Sequence, residues 1–456
     1  MNRLAGMRVL VVGLGATGAA AARVLHSLHA KVRVTESSRS SEIERAATEL
    51  RSEGIEVEIG GHDFDALDAD VAIVSPGIPP HADVMRALEN AGVDVIGEVE
   101  VAYRLARCDF LAVTGTNGKT TTTSLLAAML VEGGIPSLAA GNIGTPAIEA
   151  VGRVPAHGAI ALEVSSFQLA SIEEFRARVA VMLNVAEDHT DWHGSFDAYV
   201  AAKARIIENQ TIGDAFIPNV DDPIAGALAD RAPGRVVPFS ATFAPVDGIG
   251  VADGRIVWRE EELLPVADVP LPGRAGIEDV LAAAAAALDY GVDRRAVIRA
   301  IRGFRSLRHR LEVVADVGGI RFIDDSKATN PHAAVTAVRG LSDVVLIAGG
   351  RAKGIDLSVM GGMVPPVRAV VVMGEAADAL ERVFAGRVPV ESAGDMGEAV
   401  RRAYAHAIPG GSVLLSPGCA SLDMYKNYGA RGEAFVRAVK TLIGELEQGE
   451  GTHGDA

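Results

Sequence analysis

The sequence predicts an α/β protein of three domains, each built on a mainly parallel sheet. Three observations lead there. Short apolar runs alternate with helical patterns along most of the chain. Many of those runs stop at glycine, at Ser-Pro-Gly or at a polar cluster, where a parallel strand hands over to a loop. One such turn, Thr114-Gly115-Thr116-Asn117-Gly118-Lys119-Thr120-Thr121-Thr122-Thr123, lies between an apolar run at 110–113 and a helical pattern at 124–130. That is the layout of a loop that wraps phosphates.

Residues 1–97 read as a Rossmann-like domain. Strand patterns at 8–12, 31–35, 71–74 and 93–96 alternate with helices, the first expected over 19–29. Gly13-Leu14-Gly15-Ala16-Thr17-Gly18 fits the dinucleotide fingerprint, and Glu36 stands roughly twenty residues further on. A nicotinamide cofactor and any other pyrophosphate both fit that helix end. Ser75-Pro76-Gly77 closes a later strand on what a parallel sheet makes the same edge.

Residues 98–305 read as a central P-loop ATPase-like α/β domain. Gly115 and Gly118 let backbone N–H groups close round an anion, Lys119 adds charge, and the Thr120 hydroxyl can ligate Mg²⁺. The longer G-x-x-x-x-G-K-[ST] spacing would need glycine where Val113 stands, so this loop is a shorter variant. Strand runs at 159–164 and 179–184 end in Ser165-Ser166 and Glu187-Asp188-His189-Thr190-Asp191, candidate metal and substrate positions. An amphipathic helix carrying Lys203 is expected over 196–209. A β insertion is expected near 236–269 and an alanine-rich helix over 276–290.

Residues 306–448 read as a second Rossmann-like domain. Its strands at 344–348, 369–373 and 412–415 end in glycine or Ser-Pro-Gly, and a polar cluster fills 324–330. The tail, 449–456, is polar and expected to be disordered. A net charge of −16 offers no basic face to nucleic acid or to an anionic membrane. Two cysteines, Cys108 and Cys419, suit a reducing compartment. With no signal-peptide pattern in residues 1–6 and no apolar stretch long enough for a bilayer, a cytoplasmic monomer is expected.

Longer motifs carry a resemblance. They are the loop at 114–123, Gly141-Asn142-Ile143-Gly144, Glu163-Val164-Ser165-Ser166-Phe167-Gln168-Leu169, Asn184-Val185-Ala186-Glu187-Asp188-His189, Ala202-Lys203-Ala204-Arg205-Ile206, Arg308-His309-Arg310 and Asp325-Ser326-Lys327-Ala328-Thr329-Asn330. From Gly13 to Phe435 the chain resembles the Mur ligase superfamily of ATP-dependent amide-forming enzymes. The stretch from Glu163 and the run 416–428, Ser-Pro-Gly-Cys-Ala-Ser-Leu-Asp-Met-Tyr-Lys-Asn-Tyr, narrow it to the member that adds D-glutamate to UDP-N-acetylmuramoyl-L-alanine. The resemblance implies a carboxylate phosphorylated by ATP, then attacked by the D-glutamate amine, with ADP and phosphate released. Phosphoryl transfer of this kind rests on positioning and charge neutralisation.

The resemblance also implies roles. Gly115, Thr116, Asn117, Gly118, Lys119, Thr120 and Thr121 hold ATP, with Arg310 on its phosphates and Asp325 on its ribose. Thr120, Glu163, His189 and Lys203, the last as a carbamate, serve two Mg²⁺ sites. Gly15, Ala16, Thr17, Gly18, Thr35, Ser75 and Gly77 hold the uridine end, while Asn142 and His189 meet the sugar-peptide. Lys327, Thr329, Lys353, Ser421 and Tyr428 form the D-glutamate pocket. Two departures stand out. Gly349-Gly350-Arg351-Ala352-Lys353-Gly354 lacks the family's aspartate, and Ala275-Gly276-Ile277-Glu278-Asp279 replaces His-Asn-x-x-Asn at the adenine site. A different amide ligase of the superfamily, a nicotinamide oxidoreductase and a non-catalytic nucleotide binder remain alternatives at this point.

Overall fold

Parallel strands that are apolar throughout must be covered on both faces, and the structure meets that demand. The computed structural model describes residues 5–63, 68–352 and 354–451. The chain forms two compact units, Met1–Leu264 with Val280–Ile301, and Pro265–Asp279 with Arg302–Ala456.

The first unit holds two parallel sheets. One has five strands in the order Glu56–Ile59, Lys31–Glu36, Arg8–Val12, Val71–Val74, Asp94–Gly97. Val9 and Val11 pack into the core on one face, and Leu10 and Val12 pack with Val84 and Leu88 on the other. This is why residues 8–12 show no alternation in sequence. The second sheet runs Arg235–Val236, Ala215–Pro218, Val179–Met182, Asp109–Thr114, Ala159–Glu163, Ser137–Gly141. The expected insertion is a small sheet containing the antiparallel pair Ile249–Ala252 and Arg255–Trp258.

The sheet of the second unit runs Glu312–Val317, Ile320–Asp324, Ser412–Leu415, Val344–Gly349, Val367–Met373, Val390–Ser392, antiparallel only at its first pair. Val344, Leu346 and Ala348 face one core cluster and Val345 and Ile347 the other.

Several boundaries differ from expectation. The first helix starts at Ala16, because the glycine turn enters it directly after Gly15. The helix with Lys203 ends at Ala204 and tightens into a 3₁₀ turn, Arg205–Ile207. The alanine-rich helix begins earlier, at Gly273. The last helix, Tyr428–Gly451, continues into the segment expected as a tail, with Leu442 buried and Ile443 and Leu446 packed beside it; 452–456 lie outside the described residues.

The glycine turn has one position that tolerates no side chain. A Cβ on Gly18 would stand 1.9 Å from the Gly13 carbonyl oxygen, whereas one on Gly15 would meet nothing within 4 Å. Gly18→Ala should therefore destabilise the protein by about 1–3 kcal/mol or more, and Gly15→Ala should leave the denaturation midpoint nearly unchanged. Equal midpoints for the two variants would refute this packing.

Candidate active site

Three groups of side chains gather beyond the carboxyl ends of the parallel strands. In the first sheet a cavity of about 510 Å³ is lined by Gly13, Gly15, Ala16, Thr17, Ser75 and Gly77, together with Glu36, Ser37 and His62. Both Glu36 oxygens brace its wall: Oε2 accepts from Leu14 N–H (2.8 Å) and Oε1 from Ser38 N–H (2.7 Å). Burial opposes the charge on Glu36, yet these backbone donors hold its carboxyl below the usual range. Thr35, expected to meet the ligand, is buried (1 % exposed) and pairs with His62 Nδ1 at 2.8 Å. His62 reaches the cavity in its stead, and nothing in the local sequence signals it. Gly18 lies behind the turn as a packing residue and does not line the cavity.

The central loop joins the strand Asp109–Thr114 to the helix Lys119–Glu132. Gly118 caps that helix at φ 83°, a left-handed conformation that favours glycine. Asn184 holds the loop from the neighbouring strand end, its carbonyl accepting Thr116 N–H and its Oδ1 accepting Asn117 N–H (2.8 Å). The Thr116 and Asn117 amides are thus already used. The amides left without an intrahelical partner are those from Gly118 to Thr121, which open the helix and suit an anion. The Thr116 hydroxyl points inward, 2.9 Å from Tyr199 Oη and 3.2 Å from the Ala186 carbonyl. Tyr199 was not singled out in the sequence; the one signal for it is its spacing, one helical turn before Lys203 on the same face.

Two ammonium groups converge on one carbonyl. Lys119 Nζ donates to Gly115 O (2.8 Å) and to Thr116 O (2.9 Å), and Lys203 Nζ donates to the same Gly115 O at 2.7 Å. Lys203 is buried, with its ammonium 4.7 Å from the centre of the Tyr199 ring. Burial first, and then the charge of Lys119, push its pKa well below the ordinary lysine value, while Asp188 and Glu163 oppose the shift. Glu163 is buried at the end of its strand. Its Oε1 accepts from Asn142 Nδ2 (2.8 Å), and its buried Oε2 has no hydrogen-bonding partner. His189 is exposed in a left-handed turn (φ 52°), packed edge-on against Phe167 with centroids 4.7 Å apart. The orphaned Glu163 oxygen, buried at a strand end, is a hard carboxylate donor of the kind that suits Mg²⁺.

The second unit brings together part of the remaining set. Lys327 Nζ lies 4.1 Å over the Tyr428 ring. Asp325 accepts from Ser416 Oγ (2.8 Å) and from Leu311 N–H (3.3 Å). Arg310 is half-buried and close enough to act on the Asp325 charge. Asp324 pairs with His309 Nδ1 at 2.7 Å. Thr329 is half-buried on the loop that leads to Asn330, the cap of the helix Pro331–Val338. Ser421 is buried, its carbonyl accepting Tyr425 N–H at 2.8 Å. Lys353 lies outside the described residues. Arg431, not singled out in the sequence, is buried and ties three loops together by donating to Ser326 Oγ and O, Gly349 O and Cys419 O. Burial pushes its pKa down to about 10. In the segment where the resemblance expects adenine contacts, a Cβ on Gly276 would approach Leu271 Cβ to 2.5 Å and its backbone to 2.9 Å, so asparagine cannot stand there without displacing residue 271.

A glycine loop opening a helix, two lysines whose ammonium groups meet on that loop and an orphaned acidic strand end are features that suit a nucleotide-dependent phosphoryl-transfer site on an α/β scaffold. Comparison with known proteins narrows the class. Family models match residues 7–97 (Mur ligase MurD-like, N-terminal domain), 113–287 (Mur ligase middle domain) and 309–419 (Mur ligase, glutamate ligase domain). The chain is 40 % identical over 441 residues to "UDP-N-acetylmuramoylalanine--D-glutamate ligase" of Geobacillus sp. (strain WCH70), covering 95 % of this chain and 98 % of that one. It is 44 % identical to the protein of the same name from Frankia casuarinae, over 96 % of this chain and 95 % of the other. Among solved structures, the UDP-N-acetylmuramate-alanine ligase of Thermotoga maritima superposes with a TM-score of 0.60 at 18 % identity, covering 95 % of this chain and 99 % of that one. The MurF ligase of the same organism in complex with ADP gives 0.61 at 15 %, with 91 % and 95 % covered, and both likenesses speak to the fold. The chain belongs to the Mur ligase family.

Asp325 gives the site a pH signature. Burial raises its carboxyl from 3.8 to about 7, against hydrogen bonds from Ser416 and Leu311 and the charge of Arg310. Between those values the folded protein keeps a proton that the unfolded chain has released. Its contribution to stability therefore falls as pH rises through that window and is flat above it. Asp325→Asn should shrink the drop in melting temperature between about pH 5 and about pH 8; an unchanged drop would contradict the assignment.

Proposed function

We propose that this protein is an ATP-dependent ligase that joins D-glutamate to UDP-N-acetylmuramoyl-L-alanine in peptidoglycan synthesis. The reading is supported by 40–44 % identity to ligases of that name along almost their whole length. One observation carries the chemistry: Lys119 and Lys203 meet on Gly115 O beside the unpaired Oε2 of Glu163. Such a cluster asks for anionic oxygens and a cation, which a triphosphate and Mg²⁺ bring together.

In this reading the uridine diphosphate occupies the cavity of the first sheet, its pyrophosphate at the Gly15–Thr17 helix end. The triphosphate lies on the Gly118–Thr121 amides, with Lys119 balancing the charge that builds on its β- and γ-oxygens. An oxygen of the alanyl carboxylate attacks the γ-phosphorus while the bond to ADP breaks. The neutral amine of D-glutamate then attacks the acyl carbon. Phosphate leaves with the carboxylate oxygen, and the amine loses a proton as the amide forms. Glu163, Thr120 and His189 would hold Mg²⁺, which supplies Lewis-acid neutralisation of phosphate charge. Lys203, biased toward the neutral amine, is suited to adding CO₂ with loss of a proton to solvent, and the resulting carbamate would be an anion able to help hold a second Mg²⁺. Lys327 and Tyr428, with Thr329, Ser421 and Lys353, would receive the D-glutamate dicarboxylate. The domain boundaries 1–97, 98–305 and 306–448 follow as a proposal that assigns one substrate to each.

Steady phosphate release should require ATP, UDP-N-acetylmuramoyl-L-alanine and D-glutamate together, with other amino acids giving little. Release in the absence of the nucleotide sugar would point to a simple ATPase. Lys119→Ala should lower kcat by on the order of a thousandfold, with folding intact by circular dichroism. If Lys203 works as a carbamate, enzyme stripped of dissolved CO₂ should lose activity and regain it when bicarbonate is returned. Activity indifferent to bicarbonate would remove that role.

A further inference from the structure

The nucleotide-sugar peptide of the proposed reaction has to reach from the cavity of the first sheet to Asn142 and Glu163 in the second. One buried side chain fastens the two regions. Glu98 opens the helix Glu98–Leu105 directly after the strand Asp94–Gly97, whose last residue pairs with Val74. Ser75, Pro76 and Gly77, the cavity wall, follow Val74 at once. Glu98 is 2 % exposed, and its Oε1 accepts from Ile148 N–H at 2.6 Å, with Ala147 N–H as a second backbone donor.

Those two N–H groups open the short helix Ala147–Ala150, where an intrahelical partner is missing by geometry. Pro146 precedes them and supplies no side-chain cap, so Glu98 is a cap delivered from another part of the chain. The turn immediately before this helix is the one that carries Asn142. Gly141 N–H donates to Thr145 O (2.8 Å), Asn142 N–H to Glu163 O (2.9 Å), and Asn142 Nδ2 to Glu163 Oε1 (2.8 Å). The same junction has a second fastening, Gly97 N–H to Ser171 O at 3.3 Å, at the end of the helix Ser166–Ala170 that leaves the Glu163 strand. A polar group buried this far is retained at a cost that burial makes large: it raises the Glu98 carboxyl to about 7, and Oε2 has no partner.

We propose that Glu98 is a positioning residue for the sugar-peptide substrate: by capping the 147–150 helix it sets the Asn142 turn, and through it Glu163, at the right span from the uridine cavity. It touches neither ligand nor reacting atoms. The inference rests on the functional reading above and adds to it a residue whose effect depends on ligand length. UDP alone fills only the cavity, so its affinity does not depend on the span. UDP-N-acetylmuramoyl-L-alanine engages both ends, so its affinity does.

The test is calorimetric binding of these two ligands to the full-length protein, with KM values alongside. Glu98→Ala should weaken the sugar-peptide on the order of tenfold, while UDP affinity and the KM for D-glutamate stay within about twofold. Glu98→Gln keeps the acceptor oxygen and should recover most of the loss. Should the alanine variant not fold, Glu98→Asp, which draws the carboxylate back from Ile148, should show the same selective loss to a smaller degree. Parallel weakening of UDP and sugar-peptide, or a lower melting temperature with both affinities unchanged, would overturn the proposal. Failure of the unmodified protein to bind or convert the sugar-peptide would instead refute the functional reading itself.

Discussion

The site depends on a local excess of positive charge held in place before any substrate arrives. Two lysine ammonium groups share the Gly115 carbonyl, one of them on a buried side chain. In water this crowding would matter little, but in a low-dielectric interior two like charges at such distances repel strongly. The repulsion can be relieved by making one lysine neutral, the direction in which burial and Lys119 drive Lys203, or by an anion settling between the two. Either outcome prepares the site. Neutral Lys203 is open to carbamate formation, and the charge left on Lys119 is open to the β- and γ-oxygens of a triphosphate.

The scaffold keeps that arrangement rigid. Gly115 packs against Leu183 and Asn184, where a Cβ would come within 2.9 Å of Leu183 Cβ, so the loop lies too close to the neighbouring strand for a side chain at this position. Asn184 and Thr116 lock it from the same side, and Tyr199 joins it to the helix that carries Lys203. The strand Ala159–Glu163 lies beside the strand that enters the loop, which brings Glu163 into the field of Lys203. Arg431 plays a similar bracing part in the second unit, where it binds backbone carbonyls from three strand-end loops at once.

The sheets were legible because doubly covered parallel strands write themselves as unbroken apolar runs such as Val9–Val12 and Val344–Ala348. The phosphate loop and the acidic strand ends were legible because glycine and charge interrupt those runs at one edge. Other features were hidden for physical reasons. Thr35 sits at a strand end where a ligand contact is expected, but its side chain faces inward to His62, a residue brought in by tertiary folding alone. Which loop amides remain for an anion was decided by Asn184, a long-range partner with no local signal. Glu98 and Arg431 are ordinary charged helix residues by pattern, and only burial distinguishes them. Gly276 looks like a lost functional group until Leu271 is seen to fill the space beside it.

The central claim is that the charged loop transfers a phosphoryl group to a carboxylate and does not merely bind or hydrolyse ATP. The most direct measurement follows an oxygen atom. UDP-N-acetylmuramoyl-L-alanine carrying ¹⁸O in both oxygens of its alanyl carboxylate should yield phosphate with one labelled oxygen per turnover and leave the other in the new amide. Unlabelled phosphate, with amide still formed, would mean that the carboxylate never bonded to phosphorus, and the account would fall.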